Sequence, residues 1–165
     1  MGATITYTTF TPSLSGPFQF QPTLDGNVYN AVVTWPVWSQ RWYISVSDLF
    51  GNLLLYRSVC GSPVGVVGNS ATWDQGFVTL VTTTPHGYLI GSTINLSING
   101  FTPDAYNGVV QAFVNDSFTL TYPLTQNPGA VTGLGSVYYN LNLVGGYFNT
   151  QLVYRTANQQ FETWN

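Results

Sequence analysis

"FVTLVTTTPHGYLIGSTINLSINGF" (77–101) holds two runs of alternating β-branched and polar residues around Pro85-His86-Gly87, and ends at an Asn-Gly pair. Side chains that repeat every second residue belong to strands, and Asn-Gly after such a run marks a tight hairpin turn. "DAYNGVVQAFV" (104–114) brings a second Asn-Gly, "NDS" (115–117) another turn, and "FTLTYPL" (118–124) a further alternating run. Four or five short strands with tight connections over about 60 residues have the pattern of a small barrel. The charged side chains of this part are Asp104 and Asp116, so all three arginines lie outside it.

Strand signals continue on both sides. "TITYTTFT" (4–11) alternates around Ile5 and Tyr7, and "PFQFQPTL" (17–24) alternates Phe18 and Phe20 before Pro22, which suits an edge strand. Asp25-Gly26 predicts a hairpin turn, with "NVYNAVVTW" (27–35) as the return strand. "RWYISVSD" (41–48) alternates Trp42, Ile44 and Val46 against polar residues, and the apolar run "LLLYRSV" (53–59) suits a strand buried on both faces. "CGSPVGVVGNSATWDQG" (60–76) has the Gly, Ser and Pro spacing of a linker. Beyond "NPGAVTGLGS" the sequence predicts two more strands around a short turn, in "VYYNLNLVGGYF" and "TQLVYRTANQQFETW".

The expected fold is all-β: a β-sandwich or partly open barrel with a small β-barrel inserted between two of its strands. The outer domain is expected at 1–75 plus 139–165 and the inserted barrel at 76–138. Gly-rich segments on both sides supply exposed joints of the kind that tolerate insertions.

Composition narrows the function. Charged residues make up 5% of the chain, against about 25% in ordinary soluble domains. There is no lysine, and the basic residues are Arg41, Arg57 and Arg155. Nucleic acid and anionic membrane need clustered positive charge, so neither is an expected partner. Aromatics at 16% and a hydrophobic fraction of 44% argue against disorder. Monomeric β proteins protect open sheet edges with charge, lysine above all. A chain without lysine is expected to have its edges covered by other subunits.

Chemistry has little to build on. "MGATITYTTF" lacks the basic and apolar regions of a signal peptide. Cys60 is the one cysteine and is expected as a small buried hydrophobe. His86 is the one histidine, in a turn where Pro85 fixes φ and Gly87 permits φ > 0, so a structural role is expected. No G-x-S-x-G elbow is present, and turns account for Asp25, Asp48, Asp104 and Asp116 more simply than catalysis does. No enzymatic activity, cofactor or metal is expected.

"TWPVWSQRWY" (34–43) is the most distinctive stretch, with Trp42 expected on a core face and Trp35 and Trp38 flanking a Pro-containing bend. Exposed aromatics there would form a subunit interface or a platform for sugar stacking. Each arginine needs a partner, either an internal carboxylate (Asp48, Asp74 or Glu162) or a neighbouring subunit. "LLYR" and "LVYR" place Arg57 and Arg155 in similar strands, read as neighbours in one sheet. The candidate interface residues are Trp35, Trp38, Arg41, Tyr43, Arg57, Arg155 and Trp164.

Four stretches of the outer part carry a family resemblance: residues 17–59 from "PFQFQPTLDG" to "LLLYRSV", the "GSP" after them, "NLVGGYF", and the closing "QLVYRTANQQFETW". Their order and spacing resemble the baseplate plug proteins of contractile-tailed bacteriophages, of the cyanophage type. "VTTTPHGYLIGSTINLSINGF", "YNGVVQAFVNDSFTL" and the Asp116, Phe118, Leu120 ending resemble a second module, the small barrel of the first catalytic-cysteine half-domain of ubiquitin-activating enzymes. That module serves as scaffold and contact surface, and Cys60 lies outside the matching residues.

The resemblance implies a structural protein of the tail baseplate that plugs the axial channel. Its implied partners are hub, spike and tail-tube proteins, around which it stands in several copies. Its implied location is the virion, after synthesis in the host cytoplasm. The alternative is a carbohydrate-binding module for host-surface recognition, using Trp35, Trp38 and the inserted barrel.

Overall fold

The computed structural model describes residues 4–165. The strands run in chain order as β1 (Ile5–Thr9), β2 (Phe18–Phe20), β3 (Thr23–Leu24), β4 (Asn27–Val28), β5 (Asn30–Thr34), β6 (Tyr43–Ser47), β7 (Leu53–Ser58) and β8 (Gly61–Ser62). Then come β9 (Val66–Asp74), β10 (Phe77–Thr82), β11 (Thr93–Asn99), β12 (Gly108–Val114), β13 (Thr119–Pro123) and β14 (Gly135–Tyr138). The last two are β15 (Gln151–Arg155) and β16 (Gln160–Trp164). One 3-10 turn, Asp104–Tyr106, interrupts them. The protein is all-β, with a closed six-stranded barrel inserted between two strands of a sandwich.

The chain divides into two compact units, one of residues 4–63 with 141–165 and the other of residues 64–140. The first is a sandwich of two four-stranded sheets, β1-β16-β15-β8 and β2-β5-β6-β7, with the small β3-β4 hairpin beside them. Alternation turns Ala31, Val33, Ile44, Val46 and Leu55 inward from the second sheet, where they meet Leu152 and Phe161 of the first. Phe10, just past β1, centres the core. Its ring lies 5.1 to 5.7 Å from those of Phe18, Trp42, Tyr154 and Phe161, in edge-on contacts. Edge-on aromatic pairs add about 1 kcal/mol each beyond the area they bury.

The hairpin turns follow their residue chemistry. Asp25 (φ 47°) and Gly26 (φ 80°) form the left-handed pair that a two-residue hairpin turn needs. The Asp25 carboxylate also accepts N–H bonds from Asn149 (3.0 Å) and Thr150 (2.8 Å), which ties the β3-β4 hairpin to the start of β15. Asp48 closes the β6-β7 turn by accepting from the N–H groups of Phe50 and Asn52. Asp116 closes the β12-β13 turn through Phe118 and Thr119.

The second unit is the barrel, in the order β10-β13-β12-β11-β14-β9. Val78, Leu80, Leu96, Ile98, Ala112, Val114, Leu120, Tyr122 and Val137 fill its interior. The closing seam is short: β14 pairs with β9 only at Gly135↔Gly68, Ser136↔Val67 and Val137↔Val66. The buried ring of Phe101 covers both glycines of that seam, and a Cβ on Gly68 would lie 2.6 Å from it.

Several expectations change here. Residues 60–76, read as a linker, contain β8 and the nine-residue strand β9. The division between the units falls after Pro63, not at 76. Gly65 and Gly68, which broke the alternation, are places where the rings of Tyr138 and Phe101 press on the backbone. Val137 and Tyr138 of "VYYN" end barrel strand β14, and "NLVGGYF" forms turns instead of a strand. The hairpin at the C-terminal end is β15-β16.

Candidate interaction surface

The outer face of the β2-β5-β6-β7 sheet carries an aromatic row. The register Tyr43↔Ser58 and Ser45↔Tyr56 makes Tyr43 and Tyr56 diagonal neighbours on that face. Their rings stack at 5.1 Å with 9° between planes. Trp38 extends the row from the 35–42 bend, 6.2 Å from Tyr43 and 80% exposed. The bend is held by Ser39, whose backbone N–H and hydroxyl both donate to the Pro36 carbonyl.

Among the described residues the adjoining strand β7 pairs only with β6, so it forms a sheet edge. Leu53, Leu54 and Tyr56 are exposed on it, and Leu49 and Phe50 are exposed in the preceding turn, Phe50 at 93%. The expectation that "LLLYRSV" is buried on both faces is therefore corrected. Only Leu55 of this strand is buried. A short apolar run bounded by turns does not distinguish a central strand from an edge strand.

The other predicted residues separate. Trp35 is half-buried with its ring 5.0 Å from Trp42, which packs on the core. Arg41 is exposed in the bend. Arg57 is half-buried, its guanidinium 5.8 Å over the Tyr147 ring. Arg155 and Trp164 are buried at 3% and 4% exposure, so their side chains serve the interior and not an outer surface. Arg155 and Arg57 stand in different sheets, on β15 and β7, which corrects their placement as neighbours.

Among the carboxylates proposed for Arg155, Glu162 is its partner. The guanidinium also donates to the Pro63 carbonyl, and the Trp164 indole N–H donates to Glu162 at 3.0 Å. Cys60 is exposed, contrary to its expected burial.

His86 is buried in its turn. Its Nδ1 accepts the Tyr88 N–H at 3.1 Å, and its ring stacks on that of Tyr88 at 4.7 Å. Burial pushes the imidazole pKa below its usual value, against an opposing pull from the Asp116 backbone and carboxylate. A neutral ring whose Nδ1 accepts a bond carries its proton on Nε2. Among the described residues no group of three or more His, Cys, Asp and Glu side chains is placed to hold a metal ion. No helix there is long and apolar enough to cross a membrane.

Sequence reasoning missed Tyr56, Leu54 and Phe50 as surface residues. One signal was available: Tyr56 lies one residue out of phase with Leu55, so alternation alone puts the two on opposite faces. No protein-family model, curated protein or solved structure matches the chain.

Proposed function

We propose that this chain is a structural protein of a contractile phage-tail baseplate, plugging the axial channel through contacts with hub, spike and tail-tube proteins. The observation that carries the proposal is β7, a sheet edge with exposed Leu53, Leu54 and Tyr56 and no lysine, beside the Trp38–Tyr43–Tyr56 row. Unprotected edges pair with other chains, and large apolar patches mark interaction sites. β1, at the edge of the other sheet, carries neither charge nor proline. The order of motifs in the outer part supplies the baseplate context.

In this reading the protein acts by shape and contact. Repeated copies around the tail axis bury edges that a free monomer exposes. A cryo-EM map of the intact tail tip tests it. Density for this chain on the axis beneath the tube, with β7 paired to a neighbour, is the expected result. Density on an outer fibre overturns the proposal.

A second reading rests on the same row, because Trp38, Tyr43 and Tyr56 offer flat rings to a sugar as well as to a protein. Glycan-array binding by the isolated chain, lost in Trp38→Ala, would favour it over the plug.

A further inference from the structure

The barrel has an unzipped seam. After Gly135↔Gly68 the β14-β9 ladder stops, although β9 runs on to Asp74. Along residues 68–74, β9 is hydrogen-bonded to β10 on one side. On the other side no backbone partner faces Asn69–Trp73 among the described residues. The chain that would have continued the ladder is drawn away. The Thr132 N–H donates to the Thr102 carbonyl at 2.9 Å, and the Tyr106 hydroxyl donates to the Gly129 carbonyl at 2.7 Å.

Between β9 and the 127–134 loop lies an open groove of about 630 Å³. Residues 69–73 form one wall and residues 129–134 most of the other, with Trp73 and Tyr106 in the lining. No lining residue is charged.

We infer that this groove receives an extended, uncharged peptide segment of a partner protein, which adds to β9 as the missing strand. Three features select that occupant. Past the register slip at Asn69, the β9 edge offers unpaired backbone donors and acceptors over Ser70–Trp73, which is how an added strand is held. Its uncharged lining would leave an ionic side chain desolvated and unpaired, so a neutral segment fits and a charged one is penalised. The open edge past Asn69, Ser70–Trp73, is four residues long, about 13 Å of strand at about 3.3 Å per residue, so a short segment spans it.

Phe101 makes this a built feature. Its ring on Gly68 and Gly135 locks the last closed pair, so the split begins at a fixed point. Leu134, 62% exposed at the mouth, gives the incoming strand an apolar contact.

The test is amide NMR of the full chain titrated to about 5 mM with the uncharged peptide acetyl-Thr-Val-Thr-Val-Thr-amide, a concentration suited to millimolar binding. The expected result is shifts confined to residues 69–73 and 127–134, with amide exchange on the β9 edge slowed about tenfold. A peptide with lysine in place of threonine should shift them less. Leu134→Trp and Ala130→Trp, both at exposed positions, fill the groove and should abolish the shifts without lowering the melting temperature. Absence of shifts overturns the inference, as do shifts spread across the surface or retained in a folded groove-filling variant. Equal shifts with the neutral disaccharide chitobiose also overturn it, making the groove a saccharide site.

Discussion

Nη2 of Arg155 lies 2.6 Å from Oε2 of Glu162, with both side chains almost wholly buried. The two stand on adjacent strands at Arg155↔Gln160 and Val153↔Glu162, so they meet diagonally across the β15-β16 hairpin. The pair reaches beyond the hairpin. Arg155 also holds the Pro63 carbonyl, at the point where the chain leaves the sandwich for the barrel. Nearby, the Ser62 hydroxyl accepts the Leu141 N–H at 2.9 Å where the chain returns.

Removing one partner strands the other's charge in the interior. Arg155→Met or Glu162→Gln should each cost about 3–5 kcal/mol in urea unfolding. The double variant Arg155→Met/Glu162→Leu should recover part of that loss, because an apolar pair carries no buried charge, while the bonds to the Pro63 carbonyl and from the Trp164 indole stay lost. A double variant worse than either single one would contradict this account.

His86 predicts a pH limb. The fold favours the neutral imidazole, whereas the unfolded chain takes up a proton near the ordinary value of 6.5. Stability should therefore be full above that pH. It should fall as pH drops through 6.5 toward the lower folded value, and show no further loss from this group below that. Melting temperatures across this range should show the slope, and His86→Asn should flatten it. The Asn side chain can still accept the Tyr88 N–H from within the turn.

A second limb comes from carboxylates. Asp25 is held below its usual value chiefly by the Thr150 N–H, Asp48 by the Asn52 side-chain amide, and Asp116 by the Phe118 N–H. A lowered carboxylate pKa contributes stability above the unfolded value of 3.8 that is lost as pH falls through the folded value. Acid melts should steepen below about pH 4. Asp48→Asn should reduce that steepening while keeping the β6-β7 turn.

The tryptophans should divide by place. Trp38→Ala should leave stability within about 0.5 kcal/mol, because the ring is 80% exposed. Trp42→Ala, which removes a ring packed 5.3 Å from Phe10, should cost about 3 kcal/mol. Tyr56→Lys on the β7 edge should cost no more than about 1 kcal/mol, from the lost stack on Tyr43, and abolish self-association or baseplate incorporation, read by sedimentation and by tail assembly.

Strand periodicity made most of the fold legible before any coordinates. Ile44 and Val46 point inward as their alternation requires, and the Asp-Gly at 25–26 turns as its chemistry requires. What stayed hidden was long-range. β9 looked like a linker because Gly65 just before it and Gly68 within it are there for Tyr138 and Phe101, rings far away in sequence. β7 looked central because burial depends on which strand lies beside it, and local sequence does not record that. For the candidate surface, the Trp38–Tyr43 proximity followed from one short stretch. The Tyr43–Tyr56 stack depended on the β6-β7 register.

The insertion has a kinetic consequence. β8 and β15 are parallel neighbours, Tyr154↔Gly61 and Arg155↔Ser62, yet the whole barrel lies between them in the chain. Pairing them first would require closing a very long flexible loop, at an entropy cost of about 4 kcal/mol. The barrel's own ends are already adjacent, since Val66 pairs with Val137. Once the barrel has folded, that loop shrinks to the few residues on either side of it. The inner module is thus expected to mature first and deliver the two outer segments to each other. A mutation that slows barrel closure, such as Gly135→Ala under the Phe101 ring, should also delay refolding of the sandwich.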